Sequence, residues 1–391
     1  MIQQIWTSKA NQPTGLADAP HVLLIVDQFG KTLGGGEKIV LRLARLLPQY
    51  GFRVSILTFL VDPKSPVLDE VPVCPLYVLP LRRTYDLHAL RSANALRQFL
   101  RKENIQIVQT FFESSDLWAG IVVKAFSTSK LIWSRRDMGI LRSPKHQIAY
   151  RFLSRLPDLV FAVSEQVRRH CIEVDRIDPA TVRTNHNGLT ITSRGTRHTA
   201  VQGFPLITTV GNIRRVKGHD VFIRAAAIVL KRCPGASFSI AGSVLEPEYF
   251  RELELLVEQL GLSQQFHFTG PVTRVAAHLQ SCDIFVLPSR SEGFSNAIIE
   301  AMSESLPVVA TDVGGNSEAV LDKVSGFIVD PDDAPALADA ITTLCLDPKS
   351  CCDMGRAGRE IVEERFSEEA MMRLVQSAYG TLLDRRKTSE R

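Results

Sequence analysis

The sequence predicts two doubly wound α/β domains in series, and three observations carry that prediction. Short apolar runs of strand length alternate with amphipathic stretches of helix length, the pattern of βαβ crossovers onto a parallel sheet. The alternation lapses once, over 192–204, a stretch rich in Thr, Ser, Gly and Arg, and then restarts. The 391 residues are too many for one ordinary domain and enough for two halves that each bury a core.

In the first half, HVLLIVD (21–27) reads as a buried strand. A glycine-rich turn follows, then a helix from Glu37 to about Leu47 with apolar residues at Ile39, Val40, Leu43, Leu46 and Leu47. FRVSILTF (52–59), IQIVQTF (105–111), KLIWSRRD (130–137) and LVFAVS (159–164) are further strands, with helices over 89–105 and 117–126. In the second half the strands are PLITTVGNI (205–213), SFSIAGS (237–243), QFHFTG (265–270), DIFVLPS (283–289), PVVATD (307–312) and GFIVD (326–330). Helices fall at 220–233, 249–262 and 336–346, the second of them closed by Gly261, and a last helix is expected near 367–384. The expected boundaries are a polar, frayed lead-in over 1–20, a first domain over 21–195, a second over 204–366, and a C-terminal helix and tail over 367–391. Ligands of such sheets sit at the carboxyl ends of the strands.

Bulk properties narrow the classes. With 45% hydrophobic and 23% charged residues the chain is globular. No apolar run approaches the roughly 18 residues of a membrane span. The first twenty residues lack the charged-then-apolar order of a secretory signal. Seven cysteines without a Cys-x-x-Cys argue against a disulfide framework or a zinc site, and for a reducing, cytoplasmic setting. The net charge of +4 conceals +11 over residues 1–200 and −7 over 201–391. The basic half is expected to face something anionic. No nucleic-acid-binding module is recognisable, so no nucleic-acid partner is expected.

Three segments carry chemistry. In SRSEGFSNAIIEAM (289–302) a strand ends, a loop carries Glu292 and Gly293, and a helix starts near Ser295 or Asn296. Open N–H groups at such a start attract phosphate. Helical rise would put Glu300 roughly 12 Å from Glu292, a span that suits one carboxylate for ribose hydroxyls and another for sugar hydroxyls. In VGNIRRVKGHD (210–220) a strand runs into a loop with Arg214, Arg215 and Lys217, cations that suit a leaving diphosphate. In KTLGGGEKIV (31–40) three glycines join a strand to a helix without forming either a Gly-x-Gly-x-x-Gly fingerprint or a Walker loop.

These segments, taken with AVSEQVRR (162–169), NHNGL (185–189), IAGS (240–243) and LPVVATDVGGNSEAV (306–320), resemble in order and placement the family 4 glycosyltransferases of the GT-B fold, over roughly residues 21–380. The resemblance implies two Rossmann-like domains facing a central cleft, with a C-terminal helix returning to the N-terminal, acceptor-binding domain. It implies retaining transfer from a nucleotide-sugar to an acceptor hydroxyl, with no cofactor and no obligatory metal. Residue by residue, Gly35 and Gly36 resemble glycines lying against the donor phosphates. Arg214 and Lys217 resemble the basic pair on the diphosphate, and Glu300 the ribose-binding Glu. Glu292, Gly293, Phe294, Ser295 and Asn296 resemble the segment that grips donor sugar and phosphate, and Gly242 a glycine of the donor cleft. The chain departs from the family in having Gly211-Asn212 for the usual Gly-Arg, and Asn187-Gly188-Leu189-Thr190 without the usual Asp. It has Arg135, Arg136 and Asp137 where many relatives place a His, so Arg136 or Asp137 is expected to take that catalytic place.

The resemblance implies polysaccharide, lipopolysaccharide or glycolipid biosynthesis, with a glycan or lipid-linked acceptor. Two other readings share these motifs, a nucleotide-sugar epimerase and a non-catalytic nucleotide-sugar-binding partner. Asp330-Pro331-Asp332 is read as a turn and helix cap, not as an Asp-x-Asp metal site. The segment 81–102, with Arg82, Arg83, Arg91, Arg97, Arg101 and Lys102, has one apolar face of Leu87, Leu90, Ala93, Leu96 and Leu100. Such a face, with Arg135, Arg136, Arg142, Lys145, Arg151 and Arg155 further along, suits peripheral contact with an anionic membrane surface.

Overall fold

The computed structural model describes residues 2–6, 16, 18–68, 74–81, 84, 86–139, 142–191 and 205–389, with backbone alone for 385–389. The chain divides into two compact units, Met1–His186 with Met371–Arg391, and Asn187–Ala370. The expected domain breaks near 195 and 366 thus move to 186 and 370. The cause is local pairing: Leu189 N–H donates to Phe366 O at 2.9 Å, and Glu368 N–H donates back to Leu189 O at 3.1 Å. The expected linker at 192–204 lies outside the described residues.

Among the described residues, the first unit is built on β1 (Gln3–Trp6), β2 (His21–Phe29), β3 (Arg53–Val61), β4 (Leu76–Val78), β5 (Ile105–Thr110), β6 (Lys130–Arg135), β7 (Leu159–Ala162) and β8 (Val182–Thr184). They form one sheet in the order β1-β4-β3-β2-β5-β6-β7-β8. Every pairing is parallel except β1 on β4. The lead-in expected to fray therefore supplies an edge strand at Gln3–Trp6, where Gln3 and Gln4 pair with Val78 and Tyr77. The second unit has β9 (Leu206–Val210), β10 (Ser237–Ala241), β11 (Phe266–Gly270), β12 (Ile284–Leu287), β13 (Val308–Thr311) and β14 (Gly326–Val329). Their order is β11-β10-β9-β12-β13-β14, all parallel. Both sheets are doubly wound, as the alternation predicts, and Gly261 ends the helix Pro247–Gln259 with φ +69°.

The last helix, Glu368–Ser389, belongs to the first unit from Met371 onward. Met371, Met372, Val375, Ala378, Tyr379 and Leu382 are buried in that unit's core beside Leu46, Leu47, Phe52 and Val54. Each of the larger aliphatic side chains among them contributes about 1.5–3 kcal/mol on burial. The apolar face expected on 81–102 splits. In the helix Leu87–Lys102, Leu96, Phe99 and Leu100 are buried, Ala93 is half-buried, and Leu87 and Leu90 are exposed. Leu87 and Leu90 point away from the face that buries Ala89 and Ser92 in the same stretch of helix; Arg82 and Arg83 lie outside the described residues. No helix among the described residues is long and apolar enough to cross a membrane.

Candidate functional site

Adjacent strands β9 and β12 deliver their following loops to one edge of the second sheet. There Lys217 Nζ donates to Glu292 Oε1 at 2.6 Å, and Ser289 Oγ donates to the same oxygen at 2.7 Å. Both partners of the ion pair are largely sheltered. Two glycines allow the loops to meet. Gly218 has φ +64°, and a Cβ there would stand 2.0 Å from Pro288 O. A Cβ on Gly242, at the end of β10, would stand 2.0 Å from Gly211 O, so the loops after β9 and β10 touch through backbone alone.

Around this pair lie the other residues expected in the second unit. Arg214 Nε donates to Glu246 Oε1 at 3.4 Å and is half-exposed. Ser295 is the N-cap of the helix Asn296–Ser303 but makes no side-chain cap bond, which leaves that helix start without this shield over its amides. Asn296 Oδ1 accepts from Asn187 Nδ2 at 2.6 Å. Glu300 is half-buried, little more than one turn into the helix that follows the Glu292 loop. Gly293 O accepts from Gly315 N–H at 2.9 Å, which ties in the loop after β13. The Phe294 ring is buried and packs on Phe366 with centroids 5.2 Å apart, so this residue offers the site backbone, not its ring.

The remaining expected residues stand in the first unit. Gly34 caps the helix Gly35–Leu46, so Gly35 and Gly36 lie in its first turn rather than in a turn before Glu37. Burial pushes the Glu37 carboxyl up, against hydrogen bonds from the backbone of Glu37 and Gly34. Arg136 follows β6, half-buried; burial, with Arg42 nearby, lowers it to about 10. Asp137 is exposed, and its Oδ1 accepts from Gly139 N–H at 2.7 Å.

Arg135, beside them, is taken up by the interior. Its Nη1 donates to Asp175 Oδ2 at 2.8 Å, and Arg142 Nη1 donates to Asp175 Oδ1 at 3.1 Å. The two guanidiniums lie 4.4 and 4.2 Å from the Tyr150 ring centroid. Tyr150 OH donates to Asp116 Oδ2 at 2.9 Å, and burial pushes that carboxyl up to about 7.

Sequence reasoning missed Arg290, whose guanidinium forks onto Asp220 and also reaches Asp332. A cation two residues before Glu292 was the available signal, but no spacing rule says what it holds. Asp332 therefore does not cap a helix, as its turn motif implies. Its φ is +63° and its carboxylate serves Arg290, while Asp333 accepts from Ala336 N–H as the cap. Among the described residues no three His, Cys, Asp or Glu side chains cluster so as to hold a metal ion.

Known proteins resemble this chain in sequence and fold. Residues 33–192 match the family model Glycosyltransferase Family 4, and residues 196–361 match Glycosyl transferases group 1. A D-inositol 3-phosphate glycosyltransferase of Paenarthrobacter aurescens is 34% identical over 200 residues, 49% of this chain and 48% of that one. The lipopolysaccharide core biosynthesis mannosyltransferase LpsB of Rhizobium meliloti is 32% identical over 177 residues, 44% of this chain and 50% of that one. The matches thus span about half the length of these curated relatives. The structure of Anabaena HepE in complex with UDP superposes with a TM-score of 0.80 at 21% identity, covering 92% of this chain and 100% of that one.

Proposed function

The chain belongs to the family 4 glycosyltransferases of the GT-B fold, and from that premise we propose that it is a retaining hexosyltransferase acting on a nucleotide-sugar. The observation that carries this is the meeting of Lys217 and Glu292 at the carboxyl ends of β9 and β12. That is where a doubly wound sheet takes its ligand. When the bond between anomeric carbon and diphosphate breaks, negative charge grows on the departing oxygen. Lys217 and Arg214 supply cations there, joined by the N–H groups of the helix Asn296–Ser303. Glu292 accepts hydroxyls of the sugar, and Glu300 those of the ribose. The acceptor oxygen bonds to the anomeric carbon on the face that the diphosphate leaves, and its proton passes to the leaving phosphate. Arg136 and Asp137 stand at the carboxyl end of β6 and take the place of the family's usual His. No resident metal enters this scheme.

The relatives named above act in lipopolysaccharide core and inositol-phosphate glycosylation, which favours a glycan or lipid-linked acceptor for this chain. A peripheral position on the cytoplasmic face of an anionic membrane belongs to the same proposal. The helix Pro144–Phe152 leaves Ile148 55% and Phe152 83% exposed, one turn apart. Lys145, Arg151 and Arg155 are exposed on and beside it. Binding to anionic liposomes at low salt, lost at high salt, is expected. No binding at low salt removes the membrane from the proposal.

A thermal-shift screen against UDP-, GDP- and ADP-sugars identifies the donor, since a ligand of the folded state raises the melting temperature. With that donor, Lys217→Ala is expected to slow transfer on the order of 10²–10³-fold, the range for removing a transition-state donor. Glu300→Ala is expected to weaken donor binding with the fold intact. Wild-type turnover in both variants rules the proposal out.

A further inference from the structure

We propose that Arg290 is the positioning residue of the donor site: it clamps the loop after β9 to the loop after β12, so that Lys217 and Glu292 meet. The proposal rests on the transferase reading for what the pair binds, and on geometry alone for the clamp.

Arg290 stands between Ser289 and Glu292, and almost every donor it owns is used. Its backbone N–H donates to Val216 O at 2.8 Å. Nη1 donates to Arg215 O at 2.8 Å. Nη1 and Nη2 fork onto the two Asp220 oxygens at 2.9 and 2.8 Å. Nε donates to Asp332 Oδ1 at 2.8 Å. One side chain thereby joins the Arg215–Lys217 turn, the start of the helix His219–Val229 and the turn after β14 to the loop that carries Glu292. Asp220 is itself fixed, since Tyr249 OH donates to its Oδ1 at 2.5 Å and accepts from its N–H at 3.2 Å. Burial opposes ionisation of Asp220, but the bonds from Arg290 and Tyr249 outweigh it and hold the carboxyl below its usual value.

The neighbouring cations show what the clamp achieves. Arg215 is drawn away to Glu252 and lies 5.0 Å over the Tyr249 ring. Arg214 is drawn to Glu246. Lys217, at the end of the same turn, is left facing Glu292. Two carboxylates, Asp220 and Asp332, neutralise Arg290, so its charge is answered within the protein rather than by a diphosphate. It acts through Lys217 and Glu292. Lysine cannot replace it, because one ammonium is a point charge and cannot form the fork while reaching Asp332 and a carbonyl.

The test uses the full chain with Arg290→Lys, Arg290→Gln and, should either fail to fold, Asp220→Asn. Both arginine variants are expected to lose on the order of 10²-fold in kcat/KM, the cost of displacing a binding group by about 1 Å. The KM for donor rises and that for acceptor does not. Asp220→Asn follows in the same direction with a smaller loss. Lys217→Ala adds little in the Arg290→Gln background, because the second change removes a group already displaced. Without any donor, amide exchange speeds up at 214–218 and 289–293 and stays unchanged in β9 and β12. Unchanged exchange in those loops, or a loss fully additive with that of Lys217→Ala, overturns the proposal. A wild-type chain that binds no nucleotide-sugar defeats the transferase reading instead, and the exchange measurement still decides on the clamp.

Discussion

The two units place their charges differently. The first sinks Arg135, Arg142 and Asp175 into its interior, each no more than 5% exposed. The second keeps Lys217, Arg290 and Asp220 half-sheltered on loops at the ends of strands. The carboxyls respond accordingly. In the first unit Asp27, Glu37, Glu113 and Asp116 are all pushed up, in each case chiefly by burial. In the second Asp220, Glu246, Asp347 and Asp353 are all held down by hydrogen bonds and cations. Ions sealed in an interior set conformation and are out of a ligand's reach. Ions on half-sheltered loops are close to water, and Lys217, held by one ion pair, can trade Glu292 for a ligand. The contrast is why the Lys217 pair, and not the more buried Arg135 cluster, carries the functional reading.

The largest way to break that contrast is to remove Asp175. Asp175→Ala takes the paired carboxylate from buried Arg135 and leaves Arg142 with Glu113 alone, and is expected to cost about 3–5 kcal/mol. The readout is selective, because Trp6, Trp118 and Trp133, all the tryptophans of the chain, lie in the first unit. Trp133 packs edge-on against Tyr150 with centroids 5.4 Å apart, inside the same cluster. Denaturant unfolding followed by tryptophan fluorescence should therefore shift strongly. A shift under about 1 kcal/mol, the worth of an exposed pair, would mean that the cluster anchors nothing.

Acid should separate the units next. His219 is buried, and burial lowers it to about 4 from 6.5. Above pH 6.5 it is neutral folded or unfolded. Between 6.5 and 4 the unfolded chain binds a proton that the folded one refuses, so stability is lost as pH falls, by roughly 3 kcal/mol in full. Asp220, held below its usual value, adds loss at still lower pH. Asp116 runs the other way. Its folded value, about 7, lies above the unfolded 3.8, so the folded form holds the proton in between and stability falls as pH rises. In the first unit burial also lowers His21 and His170, against which Asp116 works, so far-UV circular dichroism, which sees both units, should lose more of its denaturant midpoint at pH 4.5 than fluorescence does. Equal losses at that pH would contradict the separation.

How much of this was legible in the sequence depended on how each element is buried. Strands covered on both faces announce themselves as apolar runs, and β2, β3, β9 and β12 were placed within a few residues. The short strands β1, β4 and β8 were not, since three or four residues carry no period. The helix Pro348–Arg365 escaped for another reason. Its buried face is Cys351, Gly355, Gly358, Arg359 and Val362, of which only Val362 is the kind of apolar residue that a periodicity search registers. A Cβ on Gly355 would meet Ser305 O at 2.1 Å, so closeness of approach, not apolar bulk, seats that helix. In the site, Lys217 and Glu292 were legible from a family pattern. Arg290, Asp220 and Tyr249 were not, because their meaning lies in contacts between loops up to 70 positions apart.

The smallest effect sharpens the comparison within the first unit, where a neutral pair lies buried apart from the ionic cluster. Tyr379 OH donates to Gln109 Oε1, and Gln109 Nε2 donates to Ser134 Oγ at 2.6 Å, so the amide has a partner at each end. Tyr379→Phe keeps the ring against Phe52, edge-on with centroids 5.3 Å apart, and removes only the hydroxyl. The cost is one hydrogen bond plus a buried carbonyl left unpaired, about 1–2 kcal/mol, with no charge stranded. The same tryptophan-monitored unfolding should place it well below Asp175→Ala. If the two losses came out equal, stranded charge would not be what makes the Asp175 cluster costly to break, and the difference drawn between sealed and half-sheltered ions would fail with it.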